Sequence, residues 1–162
     1  MTPSKPTLVL GIGNLLMGDE GIGVHSIQQL QKESIPPDVH LLDGGTGGFH
    51  LLSFFQEYEP IILIDATMDG KPVGTVTLTE PRFTTDFPRT LTAHDIGLRD
   101  LVESAALVGG LPKMYLVTIT IDEIRSMVTD LSPKIANSIP KVVETVKSIL
   151  KSANKPSYKG HL

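Results

Sequence analysis

The stretch Thr7-Leu-Val-Leu-Gly-Ile-Gly-Asn-Leu-Leu-Met-Gly-Asp-Glu-Gly-Ile-Gly23 decides the fold. Thr7–Gly11 is a short apolar run closed by glycine, which reads as a buried strand. A glycine-rich turn follows, and the acidic pair Asp19-Glu20 opens a helix over Gly21–Glu33 with Ile22, Ile27 and Leu30 on its apolar side. Pro36-Pro37 lies beyond its end. A buried strand, a tight turn and a helix are the first two-thirds of a βαβ unit. The start of the turn mimics a dinucleotide fingerprint, but the third glycine of G-x-G-x-x-G would fall at Leu16, and no Gly-Lys-Ser/Thr follows. Both common phosphate-binding loops are therefore unsupported.

The same alternation continues outward. Val39–Leu42 reads as a second strand, ahead of Asp43-Gly-Gly-Thr-Gly-Gly48. Phe49–Tyr58 reads as a helix, which Pro60 cannot continue. Ile61–Ile64 is the most apolar strand and ends at Asp65, and Gly74–Thr79 alternates like an edge strand. Asp95–Leu107 is amphipathic, with Leu98, Leu101, Val102 and Ala105 on one face. Tyr115–Ile121 is the last strand. Ser132-Pro133 is a helix start, with Ser at the N-cap and Pro in the first turn. The apolar stripe from Ile135 to Leu150 continues that helix, and Pro140 should split it near Ile139. The expectation is an α/β fold of three αβα layers around a twisted, mostly parallel five-stranded sheet. It forms a single domain over residues 1–162, with 153–162 as a frayed tail.

Composition narrows the chemistry. The 162 residues include no cysteine. That excludes disulfides, a thiol nucleophile and any metal site or cluster held by the chain's own thiolates. A chain of this length buries roughly 68–70% of its unfolded surface, so it needs no staple. Net charge is −4, split between −9 over residues 1–130 and +5 over 131–162, which argues against general nucleic-acid binding. The basic end reads as a solvated helix face. No apolar run reaches the length of a membrane span and the N-terminus lacks a signal peptide's apolar stretch, so the expected location is the cytoplasm.

Three residues stand at or just past the expected carboxyl ends of strands, where open α/β sheets place their sites: Glu20, Asp65 and His94. Each also has a purely structural account. Asp19 and Glu20 suit a helix N-terminus electrostatically, Asp65 suits a cap or Asx turn, and His94 lies beside the potential caps Thr92 and Asp95. Two carboxylates brought to about 4 Å repel by on the order of 4 kcal/mol at an effective dielectric near 20, and a cation reverses that sign. Two carboxylates and an imidazole form an open first shell for Zn²⁺, Ni²⁺, Fe²⁺ or Mn²⁺. The Gly44–Gly48 cluster serves either as a donor of N–H groups to a peptide or oxyanion, or as a tight turn without a ligand. Serine hydrolysis lacks its G-x-S-x-G elbow.

In order and spacing, Gly11-Ile-Gly-Asn14, Gly18-Asp-Glu-Gly-Ile-Gly-Val24, Asp43-Gly-Gly-Thr46, Ile64-Asp-Ala66, His94-Asp-Ile-Gly-Leu98 and Leu131-Ser-Pro133 resemble the hydrogenase maturation endopeptidases over nearly the whole chain. The resemblance implies a five-stranded, mainly parallel sheet, and a metal-contacting trio on Glu20, Asp65 and His94. It places Asp43, with Gly44, Gly45 and Thr46, in substrate positioning. One departure concerns substrate choice: where many members carry Gly-Ile-Glu/Gln-Pro after the last strand, this chain reads Thr120-Ile-Asp-Glu-Ile124.

The implied reaction is one endoproteolytic cut that removes the C-terminal extension of the [NiFe] hydrogenase large-subunit precursor after nickel insertion. Nickel belongs to the substrate, which also brings the thiolates this chain lacks. It orients the cleavage segment and polarises the carbonyl or activates water, while Glu20, Asp65 or Asp43 acts as general base. The alternatives are a conventional metallopeptidase with its own zinc or another divalent ion on the same trio, a noncatalytic nickel-sensing chaperone of the precursor, and a nucleotide-binding module.

Overall fold

The most apolar runs, Thr7–Gly11 and Ile61–Ile64, become the central strands, buried on both faces. A computed structural model describes residues 4–88 and 97–153. Its sheet consists of β1 (Thr7–Gly11), β2 (Val39–Asp43), β3 (Ile61–Thr67), β4 (Val76–Thr79) and β5 (Met114–Thr120), in the spatial order β2-β1-β3-β5-β4. β1 pairs in parallel with β2 from Thr7↔Val39 to Gly11↔Asp43, and with β3 from Leu8↔Ile61 to Gly11↔Ile64. β3 and β5 are parallel from Ile61↔Met114 to Thr67↔Thr120. β4 closes one edge, as its alternating sequence predicts, and runs antiparallel to β5.

Strand alternation sends side chains into two cores. Val9, Ile62, Ile64 and Ala66 pack with α1 (Ile22–Leu30), α4 (Pro133–Ala136) and α5 (Ile139–Ala153). Leu8, Leu10, Ile61 and Leu63 pack against the opposite layer, built from α2 (Phe54–Glu57) and α3 (Leu98–Gly109). The predicted stripe on α3 is buried in full, at Leu98, Leu101, Val102 and Ala105. In α5 it is buried at Val142, Val143, Val146, Ile149 and Leu150. Each such side chain contributes about 1.5–3 kcal/mol when fully buried. The three-layer αβα reading and the mostly parallel five-stranded sheet are both present. Among the described residues no helix is long and apolar enough to cross a membrane.

Several boundaries differ from expectation. The acidic pair lies in a separate 3-10 turn, Gly18–Gly21, and α1 proper starts at Ile22 and ends at Leu30, short of Glu33. Phe49–Tyr58 is not one helix. It is a 3-10 turn at Phe49–Leu51 and one α turn at Phe54–Glu57. Leu51, Leu52, Phe55 and Gln56 all donate to the carbonyl three residues back. The segment lacks a side-chain cap and is rich in aromatic residues of modest helix propensity, while burial of both Leu51 and Phe55 fixes its path.

β3 runs on through Asp65 to Thr67, because β5 keeps pairing there after β1 has ended. β5 itself begins and ends one residue earlier than predicted. Pro140 splits the last helical stretch as expected: α4 ends at Ala136, and Pro140 is the second residue of α5. The expected tail begins too early by one residue, since Ala153 closes α5, and 154–162 lie outside the described residues.

Candidate active site

β2 lies on one side of β1 and β3 on the other, so the chain reverses direction across the sheet between β1 and β3. The crevice at the carboxyl ends of that strand pair is where open α/β sheets bind ligands. Both sequence-predicted carboxylates lie there. Glu20 comes from the 3-10 turn after β1, which packs against β3, and is 6% exposed. Asp65 comes from β3 itself, one residue past the last pairing with β1, and is 9% exposed. Ile12 N–H donates to the Ile64 carbonyl at 2.9 Å, immediately below it. By alternation, Asp65 shares the face of Ile61 and Leu63, the face that α3 covers.

Each carboxylate is oriented by backbone. Asn14 N–H donates to Glu20 Oε2 at 2.6 Å, and Ala66 N–H donates to Asp65 Oδ1 at 2.8 Å. Asp65 is thus neither a helix cap nor a surface turn residue; it is a buried acid inside a strand. Two glycines bring the 3-10 turn and α1 this close. A Cβ at Gly23 would overlap the carbonyl oxygens of Ile12 and Ile64, and one at Gly11 would overlap the carbonyl oxygen of Gly23. Only glycine lets the first turn of α1 rest on the strand ends.

His94 lies outside the described residues, as do Thr92 and Asp95; the described part of α3 starts at Leu98 with Gly97 as its N-cap. Among the described residues no three His, Asp or Glu side chains form a group that could hold a metal ion. The two buried carboxylates are hard oxygen donors, a set that fits an ion whose softer ligands come from elsewhere.

Asp43 ends β2 beside Gly11, and its Oδ1 accepts Gly45 N–H at 2.8 Å. Gly44 N–H donates to Gly11 O at 2.8 Å, Gly13 N–H to Gly45 O at 2.7 Å and Gly47 N–H to Gly44 O at 3.1 Å. These bonds make the cluster a tight turn folded over the end of β1, with Thr46 exposed at its tip. Gly45 and Gly47 therefore spend their N–H groups inside the turn, and Gly44 spends its own on the end of β1.

Two contributors escaped the residue-by-residue reading. Asn14 links Glu20 to Leu16, because its Oδ1 accepts Leu16 N–H at 2.9 Å. An Asn directly after Gly-Ile-Gly, where side-chain-to-backbone turns are common, is the signal that marks it. Asp19 is 2% exposed and accepts two hydrogen bonds from Ser132, a structural role that the residue type alone did not reveal. Ser132 is the N-cap of α4, as predicted, but its hydroxyl accepts no cap bond and instead donates to Asp19.

Comparison with known proteins agrees with this geometry. A family model described as hydrogenase maturation protease matches residues 24–149. The hydrogenase expression/formation protein HupD of Rhodobacter capsulatus is 35% identical over 160 residues, covering 92% of this chain and 74% of that protein. The hydrogenase 2 maturation protease of Escherichia coli is 32% identical over 149 residues, covering 90% and 91%. The solved structure of the Escherichia coli hydrogenase maturating endopeptidase HybD superposes with a TM-score of 0.82 at 30% identity, covering 92% of this chain and 94% of that one. A mostly parallel five-stranded sheet, a carboxylate pair at its switch point and these relatives converge: the chain is an endopeptidase of the hydrogenase maturation protease family.

Proposed function

We propose that the chain removes the C-terminal extension of a [NiFe] hydrogenase large-subunit precursor once nickel is in place, and that the substrate's nickel is what the site recognises. The observation that carries this reading is the pair of buried carboxylates, Glu20 and Asp65, on adjoining elements at the carboxyl end of the β1–β3 crevice. Two carboxylates at one crevice form a hard-oxygen set that attracts a cation, and a nickel ion held by the substrate's thiolates supplies that charge. His94 completes the set in this proposal.

The chain's own part is positioning and proton transfer. Glu20 and Asp65 dock the nickel centre, which holds the scissile peptide beside them and polarises its carbonyl. One of the carboxylates, Glu20, Asp65 or Asp43, takes the proton of the attacking water. Asp43 also braces the turn of Gly44 and Gly45, and the exposed Thr46 at its tip takes the backbone of the extension.

The test mixes the protein with nickel-loaded and with nickel-free precursor and measures the mass of the large subunit. Shortening with nickel alone is expected. Equal shortening of the nickel-free precursor, or an unchanged mass with both, overturns the proposal. Stoichiometric zinc in protein purified without added metal, together with chelator-sensitive cleavage, would assign a conventional metallopeptidase.

A further inference from the structure

A chain of hydrogen bonds leads from Glu20 to a pair of exposed apolar side chains. Glu20 Oε2 accepts Asn14 N–H, Asn14 Oδ1 accepts Leu16 N–H, and the Leu16 carbonyl accepts Val128 N–H at 3.1 Å. Gly18 N–H returns to the Val128 carbonyl at 2.7 Å, and Met17 and Val128 form a parallel bridge. The loop after β1 is thereby stitched to the loop after β5. Leu16 is 50% exposed and Met127, next to Val128, is 79% exposed.

Met127 has φ 60°, and no other described residue except glycine has positive φ. Methionine has no local reason to adopt that conformation, which Gly, Asn and Asp tolerate far better. Its side chain packs into neither core cluster. A strained backbone that presents a large apolar side chain to solvent, held by bonds running to a site carboxylate, points to a contact made outside the chain. The flexible thioether of methionine suits such a contact.

We propose that Leu16 and Met127 form an apolar shelf that takes an apolar side chain of the polypeptide being cut, next to the cleavage site. This rests on the proposed function, because the shelf is continuous with the Glu20 turn that docks the substrate. It makes Met127 and Leu16 specificity-determining residues, contributing binding shared by ground state and transition state. Such binding lowers KM without raising kcat.

The test measures initial cleavage rates against the concentration of nickel-loaded precursor for the parent chain, M127G, L16S, the double variant and M127L. Glycine accepts φ 60° without strain, so M127G removes the side chain while keeping or raising the thermal midpoint. The expected result for the double variant is a roughly tenfold rise in KM, equivalent to ~1.4 kcal/mol, with kcat retained. M127L is expected to keep the parent KM. A parent-like KM in the double variant, or a fall in kcat alone, overturns the shelf while leaving the cleavage reading intact. A sedimentation change from dimer to monomer in M127G also overturns it, by assigning the shelf to a second copy. Failure of the parent chain to cut nickel-loaded precursor overturns both.

Discussion

Asp19 and Ser132, 113 residues apart in the chain, are joined twice: the Ser132 N–H donates to Asp19 Oδ1 and its hydroxyl to Asp19 Oδ2, each at 2.7 Å. The buried carboxylate ties the turn that carries Glu20 to the start of α4. Asp19→Ala would leave a part-buried N–H unpaired, and hydrogen bonds to charged groups contribute roughly 1.5–3 kcal/mol each. Urea unfolding should show a loss in that range for D19A and a smaller one for S132A, which keeps the backbone bond. Equal midpoints for D19A and the parent would refute the account.

Asp65→Asn and Glu20→Gln preserve shape and an oxygen acceptor, so Asn14 and Ala66 retain their partners. Both variants are expected to fold, with circular dichroism and melting close to the parent. Processing of nickel-loaded precursor should fall in both, by at least about 10²-fold in a variant that has lost the proton acceptor. Normal cleavage by Asp65→Asn would remove it from the site.

Gly23→Ala tests the close approach beneath the site. A methyl at that position overlaps two backbone carbonyls that have no room to retreat. Overpacking of this kind costs about 1–3 kcal/mol, occasionally more, and G23A should lie at or above the upper end. Thermal or urea denaturation reads it directly, and a parent-like midpoint would contradict the packing.

Asp69, four residues beyond Asp65, provides a pH-dependent contact. Burial works to raise its carboxyl, but the Thr120 hydroxyl at 2.8 Å, the Lys71 N–H at 3.2 Å and the Lys71 ammonium together hold it below the ordinary aspartate value. A folded-state value below the unfolded one stabilises the protein above the unfolded pKa of about 3.9, and that stability is lost as pH falls through the lower, folded value. Thr120→Val should raise the Asp69 pKa in an NMR titration and weaken the protein near neutral pH more than at pH 2. An unmoved titration would show that the hydroxyl is not what holds it.

Much of this architecture is legible in the residues, and the exceptions share a cause. β1 matches its predicted bounds because Gly11 and the run before it act locally. β3 overruns its predicted end because Ala66 and Thr67 are held by Ile119 and Thr120, partners about 50 positions away. The Phe49–Tyr58 segment carries helical spacing, but tertiary burial of Leu51 and Phe55 winds it more tightly. Ser132 has the residue type of a cap, yet a long-range acid claims its hydroxyl. Glu20 and Asp65 were readable as site candidates because topology alone sends both to one crevice. Asn14 carried a local signal that residue-type reading passed over, and Met127 carried none, since its part depends on a backbone angle that no spacing rule encodes.

The contact of Gly11 and Gly23 has a mechanical consequence. With α1 seated directly on the ends of β1 and β3, Asp65 and the turn that carries Glu20 both stand on closely packed backbone. If the substrate's nickel is what the site recognises, as proposed above, a precursor lacking it meets two acids already set in place by the backbone, and readiness for cutting is read on the substrate.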